Sequence, residues 1–224
     1  MKKTFSLLFM LIVILGFSQN KYFLLNGTKV LNEKEYKNFK DSISAKGKIT
    51  ESIALTFKKN DSIFILPRLE IKSSDNSQYF FDSQTYFEQT FKKNINFTNL
   101  VNIRSNKSID KSKPYFINCW YTHCNPCIDE ISDLNKLQEE YKDKVNFIAI
   151  TFDDENVLKK FLEKTPFNFI HLSGQKMLLN KMEVSSYPTS FILDSNGNFI
   201  SFTSYQNPMA QMFTKKILEK LETK

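Results

Sequence analysis

The sequence predicts an α/β domain over residues 96–224, preceded by a small α+β module over residues 19–95. Three observations lead there. A buried-strand run, Tyr115-Phe116-Ile117, passes through Trp120 into Cys124-Asn125-Pro126-Cys127, after which Ile128, Ile131, Leu134, Leu137 and Tyr141 recur at helical spacing. Further along, apolar runs alternate with amphipathic stripes, the rhythm of strands covered by helices. Before residue 95 the period is mostly two, broken by turn residues and by one well-capped helix.

Taken in order, residues 22–25 and 28–31 flank Asn26-Gly27, a type I′ turn pair, and so form a hairpin. Asn32 with Glu35 three residues on is a capping box, and Tyr36, Phe39 and Ile43 share one face of the helix that follows. That helix ends by Gly47. From Ile49 apolar residues alternate through Ile53, Leu55 and Phe57, a polar turn covers 58–61, and 62–66 returns as a second hairpin that Pro67 ends. Residues 69–72 suit a further strand and 73–77 a loop; 80–91, with Phe81, Tyr86, Phe87 and Phe91, reads better as an amphipathic helix than as strands. Residues 97–103 suit a strand and 106–113 a polar turn.

In the second half, 145–152 is a strand buried on both faces, Asp153-Asp154 cap a helix with the stripe Val157, Leu158, Phe161 and Leu162, and 167–172 is another short apolar segment. A short helix over 177–182 follows. Strand, turn and strand occupy 190–193, 194–197 and 198–202. The last element is a helix over 209–221 with Met212, Phe213, Ile217, Leu218 and Leu221 inward.

Composition excludes some functions. The net charge of +7 comes from 31 basic residues of which only Arg68 and Arg104 are arginine, and the lysines are scattered. No basic stripe interleaves with stacking aromatics, so no nucleic-acid partner is expected. Residues 1–18 have the layout of a secretory signal peptide: Lys2 and Lys3, an apolar run over 7–15, then Gly16-Phe17-Ser18, with cleavage after about Ser18. The apolar stretch falls short of the roughly 20 residues that span a bilayer. The expected location is therefore extracytoplasmic, the periplasm or its equivalent.

The chemistry concentrates on cysteine. Three Cys in an exported chain give one plausible pair and one left over. Cys124 lies at a helix start, where unpaired N–H groups and the dipole stabilise a thiolate, so it is the expected attacking sulfur. Cys127, one turn on and more covered, can attack a mixed disulfide on Cys124 and release the substrate. Cys119 reads as a buried, inert thiol. His123 as a cation would depress the thiolate pKa or, equally, is an exposed loop residue; Glu155, Glu183 and His171 read as surface or structural residues. The module at 19–95 carries no chemical signature and reads as a packing or dimerising unit.

Asn118-Cys119-Trp120 before Cys-x-x-Cys, the segment Val184-Ser185-Ser186-Tyr187-Pro188-Thr189-Ser190-Phe191-Ile192-Leu193-Asp194, and the Ser195-Asn196-Gly197 turn together resemble the thioredoxin-like superfamily, and within it the exported TlpA/ResA-type thiol-disulfide oxidoreductases. The resemblance covers about residues 96–222. It implies a thioredoxin-like fold, a central mixed sheet flanked by helices, with Cys124 and Cys127 catalytic as a redox-active disulfide and with Trp120, Tyr187 and a cis Pro188 on the substrate side. A cis bond there would leave the Tyr187 backbone able to pair with an extended substrate. It implies protein thiol or disulfide substrates, an upstream membrane or thioredoxin-type electron donor, no cofactor, and clients such as those of cytochrome maturation. Reduction is favoured over oxidation, though direction depends on potential. The chain departs from many thioredoxins in having Asn118 where a buried Asp serves as proton acceptor, and Cys119 where Phe is usual. Two other readings stay open: copper or zinc handling by the Cys pair, for which one pair and His123 are a thin ligand set, and a partner-binding module with a static disulfide.

Overall fold

The computed structural model describes residues 19–25, 29–72, 78–80, 87–88, 90–91 and 109–222. Two five-stranded sheets organise them. The first is built from β1 (Asn20–Leu25), β2 (Lys29–Asn32), β3 (Lys48–Lys59), β4 (Ser62–Lys72) and β5 (Gln78–Phe80), with α1 (Glu33–Ser44) between β2 and β3. Its order is β2-β1-β4-β3, with β5 also on β4; β1 runs parallel to β4 and the other pairs are antiparallel.

The local signals explain these elements. Asn32 accepts from the Glu35 N–H at 2.9 Å while the Glu35 carboxylate accepts from the Asn32 N–H at 2.8 Å, closing the capping box that starts α1. Tyr36 and Ile43 are buried and Phe39 packs beside them. Gly47 turns the chain into β3 at φ 153°, and a Cβ there would meet the Lys72 carbonyl oxygen at 2.2 Å, so the approach of β3 to β4 requires glycine.

One expectation fails here. Pro67 does not end a strand; β4 runs through it to Lys72, and 69–72 are the same strand. Pro67 pairs with Ile53 where the β3 register shifts, and β1 and β5 pair with β4 on either side of it, at 62–65 and 70–72. The missing N–H thus falls at a bulge and in a gap between neighbours, where no ladder bond is lost. The hairpin turn at 26–27, the loop at 73–77, the strand expected at 97–103 and residues 1–18 lie outside the described residues. In the stretch read as a helix over 80–91, Phe80 ends β5, while Phe87, Glu88, Thr90 and Phe91 are helical.

The second sheet has β6 (Tyr115–Cys119), β7 (Asn146–Ile150), β8 (Ile170–Leu172), β9 (Thr189–Leu193) and β10 (Phe199–Thr203), in the order β10-β9-β6-β7-β8. β6, β7 and β8 are mutually parallel and β9 is antiparallel to both β6 and β10, a mixed sheet. Its helices are α2 (Asn125–Tyr141), α3 (Glu155–Leu162), α4 (Lys176–Lys181) and α5 (Pro208–Glu222). The central strands β6, β7 and β9 are buried at every residue, as continuous apolar runs covered on both faces should be. Asp154 caps α3 by accepting from the Val157 N–H at 2.9 Å; of the expected stripe Leu158 is buried, but Val157 is exposed, since α3 is short and only its inner edge reaches the core.

Alternate residues of β6 divide the core. Phe116 joins Trp120, Cys124, Cys127, Ile131, Leu134, Phe147 and Phe213 on one face, whereas Tyr115, Ile117 and Cys119 join Leu178, Met182, Phe191 and Phe199 on the other. The first sheet packs on the α5 side: Phe57 and Phe64 meet Phe213 edge-on at 5.1 and 6.1 Å, and Leu24, Leu55 and Leu66 belong to that same core. Arg68 bonds the Ile200 carbonyl at 3.1 Å and pairs with Glu88, fastening β4 to β10.

Candidate active site

Cys124 and Cys127 form a disulfide at the start of α2, with Cα atoms 5.2 Å apart. Cys124 is the N-cap, its Sγ 3.3 Å from the Cys127 N–H, and Asn125-Pro126 open the helix, where proline loses no bond. An amide donor and the helix dipole therefore meet at the Cys124 sulfur, the arrangement that stabilises a thiolate. The preceding loop is fixed at both ends: Trp120 N–H donates to the Ile150 carbonyl at 3.0 Å, Thr122 N–H to the Asp153 carboxylate at 2.7 Å, and Cys124 N–H to the Tyr121 carbonyl at 3.1 Å. In this oxidised state both sulfur-bearing residues are covered, 3 % and 1 % exposed, so the expected difference in cover is small.

The residue that sequence reasoning missed is Glu130. It lies three residues after Cys127, one turn further along the same helix face, and is 4 % exposed. Asn118 on β6 donates from Nδ2 to Glu130 Oε1 at 2.8 Å and to Ser190 Oγ on β9 at 3.1 Å. Glu130 Oε2 is buried and has no partner among the described residues. Burial pushes the Glu130 carboxyl up to about 7, with the Asn118 hydrogen bond pulling the other way. The carboxylate that seemed absent when Asn118 was read in place of Asp is thus supplied from α2, with Asn118 as its donor. Its one signal in the sequence was an acid at i+3 from Cys127 within the inward stripe.

Trp120 is fully buried, packed edge-on against Phe161 at 5.2 Å, Phe167 at 5.3 Å and His171 at 5.8 Å. It offers no surface in this oxidised state. Tyr187–Pro188 is a cis bond, and both residues are half-buried. Among the described residues no hydrogen bond uses the Tyr187 backbone. His123 is exposed, its Nδ1 3.1 Å from Thr122 Oγ1. His171 Nε2 lies 2.8 Å from the Phe167 carbonyl, a packing residue beside Trp120; Glu155 and Glu183 are exposed. Cys119 is a free thiol, fully buried on the opposite face of the sheet, and burial drives its pKa far upward. Among the described residues no group of three or more His, Cys, Asp and Glu is placed to hold a metal ion.

Chemically, two sulfurs at a helix start and a buried carboxyl that titrates near neutrality can take up and release two electrons with a proton. The chain is similar in sequence to proteins of known name. Thioredoxin-like protein YneN of Bacillus subtilis is 35% identical over 91 residues, 39% of this chain and 54% of that protein. Thiol-disulfide oxidoreductase ResA of Bacillus cereus is 31% identical over 93 residues, 40% of this chain and 54% of that protein. The chain spans about half the length of the curated relatives it matches. Among solved structures, a putative thiol:disulfide interchange protein DsbE from Chlorobium tepidum aligns with TM-score 0.45 at 23% identity, over 50% of this chain and 82% of that one. A family described as AhpC/TSA matches residues 89–201, a span that holds the cysteine helix, its carboxylate and the cis-proline turn, and with half its length so matched the chain belongs to the AhpC/TSA family.

Proposed function

We propose that this protein is an exported thiol-disulfide oxidoreductase that reduces disulfides in other proteins. The observation that carries the reading is the Cys124–Cys127 disulfide at the α2 start with Glu130 buried one turn below it. In the reduced enzyme the Cys124 thiolate attacks a client disulfide; a bond forms between Cys124 and one client sulfur, and the other client sulfur leaves as a thiolate and takes a proton. Cys127 then gives its proton to Glu130 and attacks Cys124. The second client thiolate leaves, the client has gained two electrons, and the pair is oxidised as it stands in this structure. An upstream dithiol donor returns the two electrons. Tyr187 and Pro188 flank the client, while buried Trp120 supports the loop.

The same reading divides the chain into a signal peptide at 1–18, a bracing module at 19–95 and the redox domain at 96–224. The packing of Phe57 and Phe64 on Phe213 supports the bracing role, and the Lys2-Lys3 and apolar layout supports export. Among the described residues no helix is long and apolar enough to cross a membrane.

The test is reduction of a disulfide-linked protein such as insulin with dithiothreitol as donor. Wild type accelerates it and Cys124→Ser returns it to the uncatalysed rate; undiminished acceleration by that variant contradicts the mechanism. Direction follows from the midpoint potential of the pair. A value near about −270 mV makes it a reductase, and one near about −120 mV a disulfide donor, contrary to the proposal.

A further inference from the structure

Three aromatic residues meet beside the exchange site. Tyr121 follows β6, Phe152 follows β7 and Tyr187 precedes β9; because those strands are neighbours in the order β9-β6-β7, their ends bring the three rings together. Tyr121 and Phe152 stack at 5.2 Å, and Tyr187 stands edge-on to both, at 5.3 and 5.8 Å. Tyr121 and Tyr187 are half-buried, but Phe152 is 39 % exposed, the one aromatic among the large apolar side chains exposed in the described residues. An exposed ring held in a fixed aromatic group costs hydration free energy that a partner ring recovers.

We infer that Tyr121, Phe152 and Tyr187 form a specificity platform that receives an aromatic side chain next to the client cysteine. The inference rests on the exchange reading above and names the client that suits it: an extended segment whose cysteine reaches Cys124 and whose neighbouring residue is Phe, Tyr or Trp. Three observations select this occupant. The platform is continuous with the exchange site, since the Tyr121 carbonyl holds the Cys124 N–H and Tyr187 adjoins Pro188. The Tyr187 backbone, without a hydrogen bond among the described residues, can pair with an extended segment laid across it. Two stacked rings with a third edge-on leave geometry for a fourth ring to meet one face and one edge, which an aliphatic chain fills less well.

The experiment measures single-turnover oxidation of the reduced full chain by three disulfides: bis(2-hydroxyethyl) disulfide, and homodimeric disulfides of two short peptides that carry Phe or Gly beside their cysteine. Wild type reacts with the Phe peptide about fivefold or more faster than with the Gly peptide, the size of one added aromatic pair. In Phe152→Ala that ratio falls to near one, and Phe152→Leu leaves it between the two. Equal rates for the two peptides in wild type, or an undiminished ratio in Phe152→Ala, overturn the platform while the exchange chemistry stands. A reduced wild type that none of the three disulfides oxidises overturns the exchange reading and the platform together. Because each variant is scored by its own ratio, a change in folded fraction cancels.

Discussion

The two faces of the second sheet hold sulfur in opposite ways. On the α2 face Cys124 and Cys127 lie among apolar residues but within one helical turn of a polar chain, Ser190 to Asn118 to Glu130, and at the end of a helix that donates an amide. On the other face Cys119, five residues before Cys124, belongs to an apolar cluster with Ile117, Ile150, Leu178, Met182 and Phe191, where burial raises the thiol pKa with nothing to offset it. Burial alone makes a thiol inert; burial beside one amide donor and one titratable carboxyl makes it usable. The one-residue alternation of β6 decides which sulfur receives which surroundings.

Five changes break or sharpen that contrast. Cys124→Ser removes disulfide exchange, a fall of at least about a thousandfold if the mechanism acts through that sulfur, whereas Cys119→Ala leaves the exchange rate within about twofold because its face takes no part in the chemistry; turnover of an insulin disulfide reads both. Glu130→Gln slows attack by Cys127 about a hundredfold, the lower range for loss of a positioned proton acceptor, measured as the lifetime of the mixed disulfide.

The same variant has a stability signature. The folded state holds the Glu130 proton more tightly than the unfolded chain does, so this contribution is complete below about pH 4.5 and is lost as pH rises through about 7. Glu130→Gln removes that loss. Denaturant unfolding should find it more stable than wild type at pH 8, by at most ~3 kcal/mol, with the gap closing toward pH 4.5.

Phe191→Ala on the opposite face empties a site between Phe87, Phe91 and Phe199. It costs ~3–5 kcal/mol of stability, yet the Glu130 titration followed by carbon NMR stays in place. Smallest is Ser190→Ala, which frees one Asn118 donor. It costs ~1 kcal/mol and moves the Glu130 titration upward, since a loosened Asn118 stabilises the carboxylate less.

Much of this was legible before the fold was known, because local signals carried it. The capping box at Asn32, the Cys124 helix start with Pro126 and the Asp154 cap are short-range patterns whose physics needs no tertiary context, whereas the cis Tyr187–Pro188 bond was expected from the family resemblance alone. What stayed hidden depends on strand order. Glu130 looked like one more acid of an amphipathic helix until β6 placed Asn118 against it, and Tyr121 and Phe152 are separated in sequence by a whole strand and helix. Pro67 misled because its cost depends on where the neighbours of β4 pair, which only the register of two other strands reveals.

The central claim is that Cys124 is the sulfur that meets the client and Cys127 the one that releases it. Cys127→Ser, reduced and mixed with a disulfide-bonded peptide, tests it directly by trapping the intermediate for mass mapping. A stable mixed disulfide on Cys124, and none on Cys119, is the predicted result. No adduct, or one mapped to Cys119, would contradict the account.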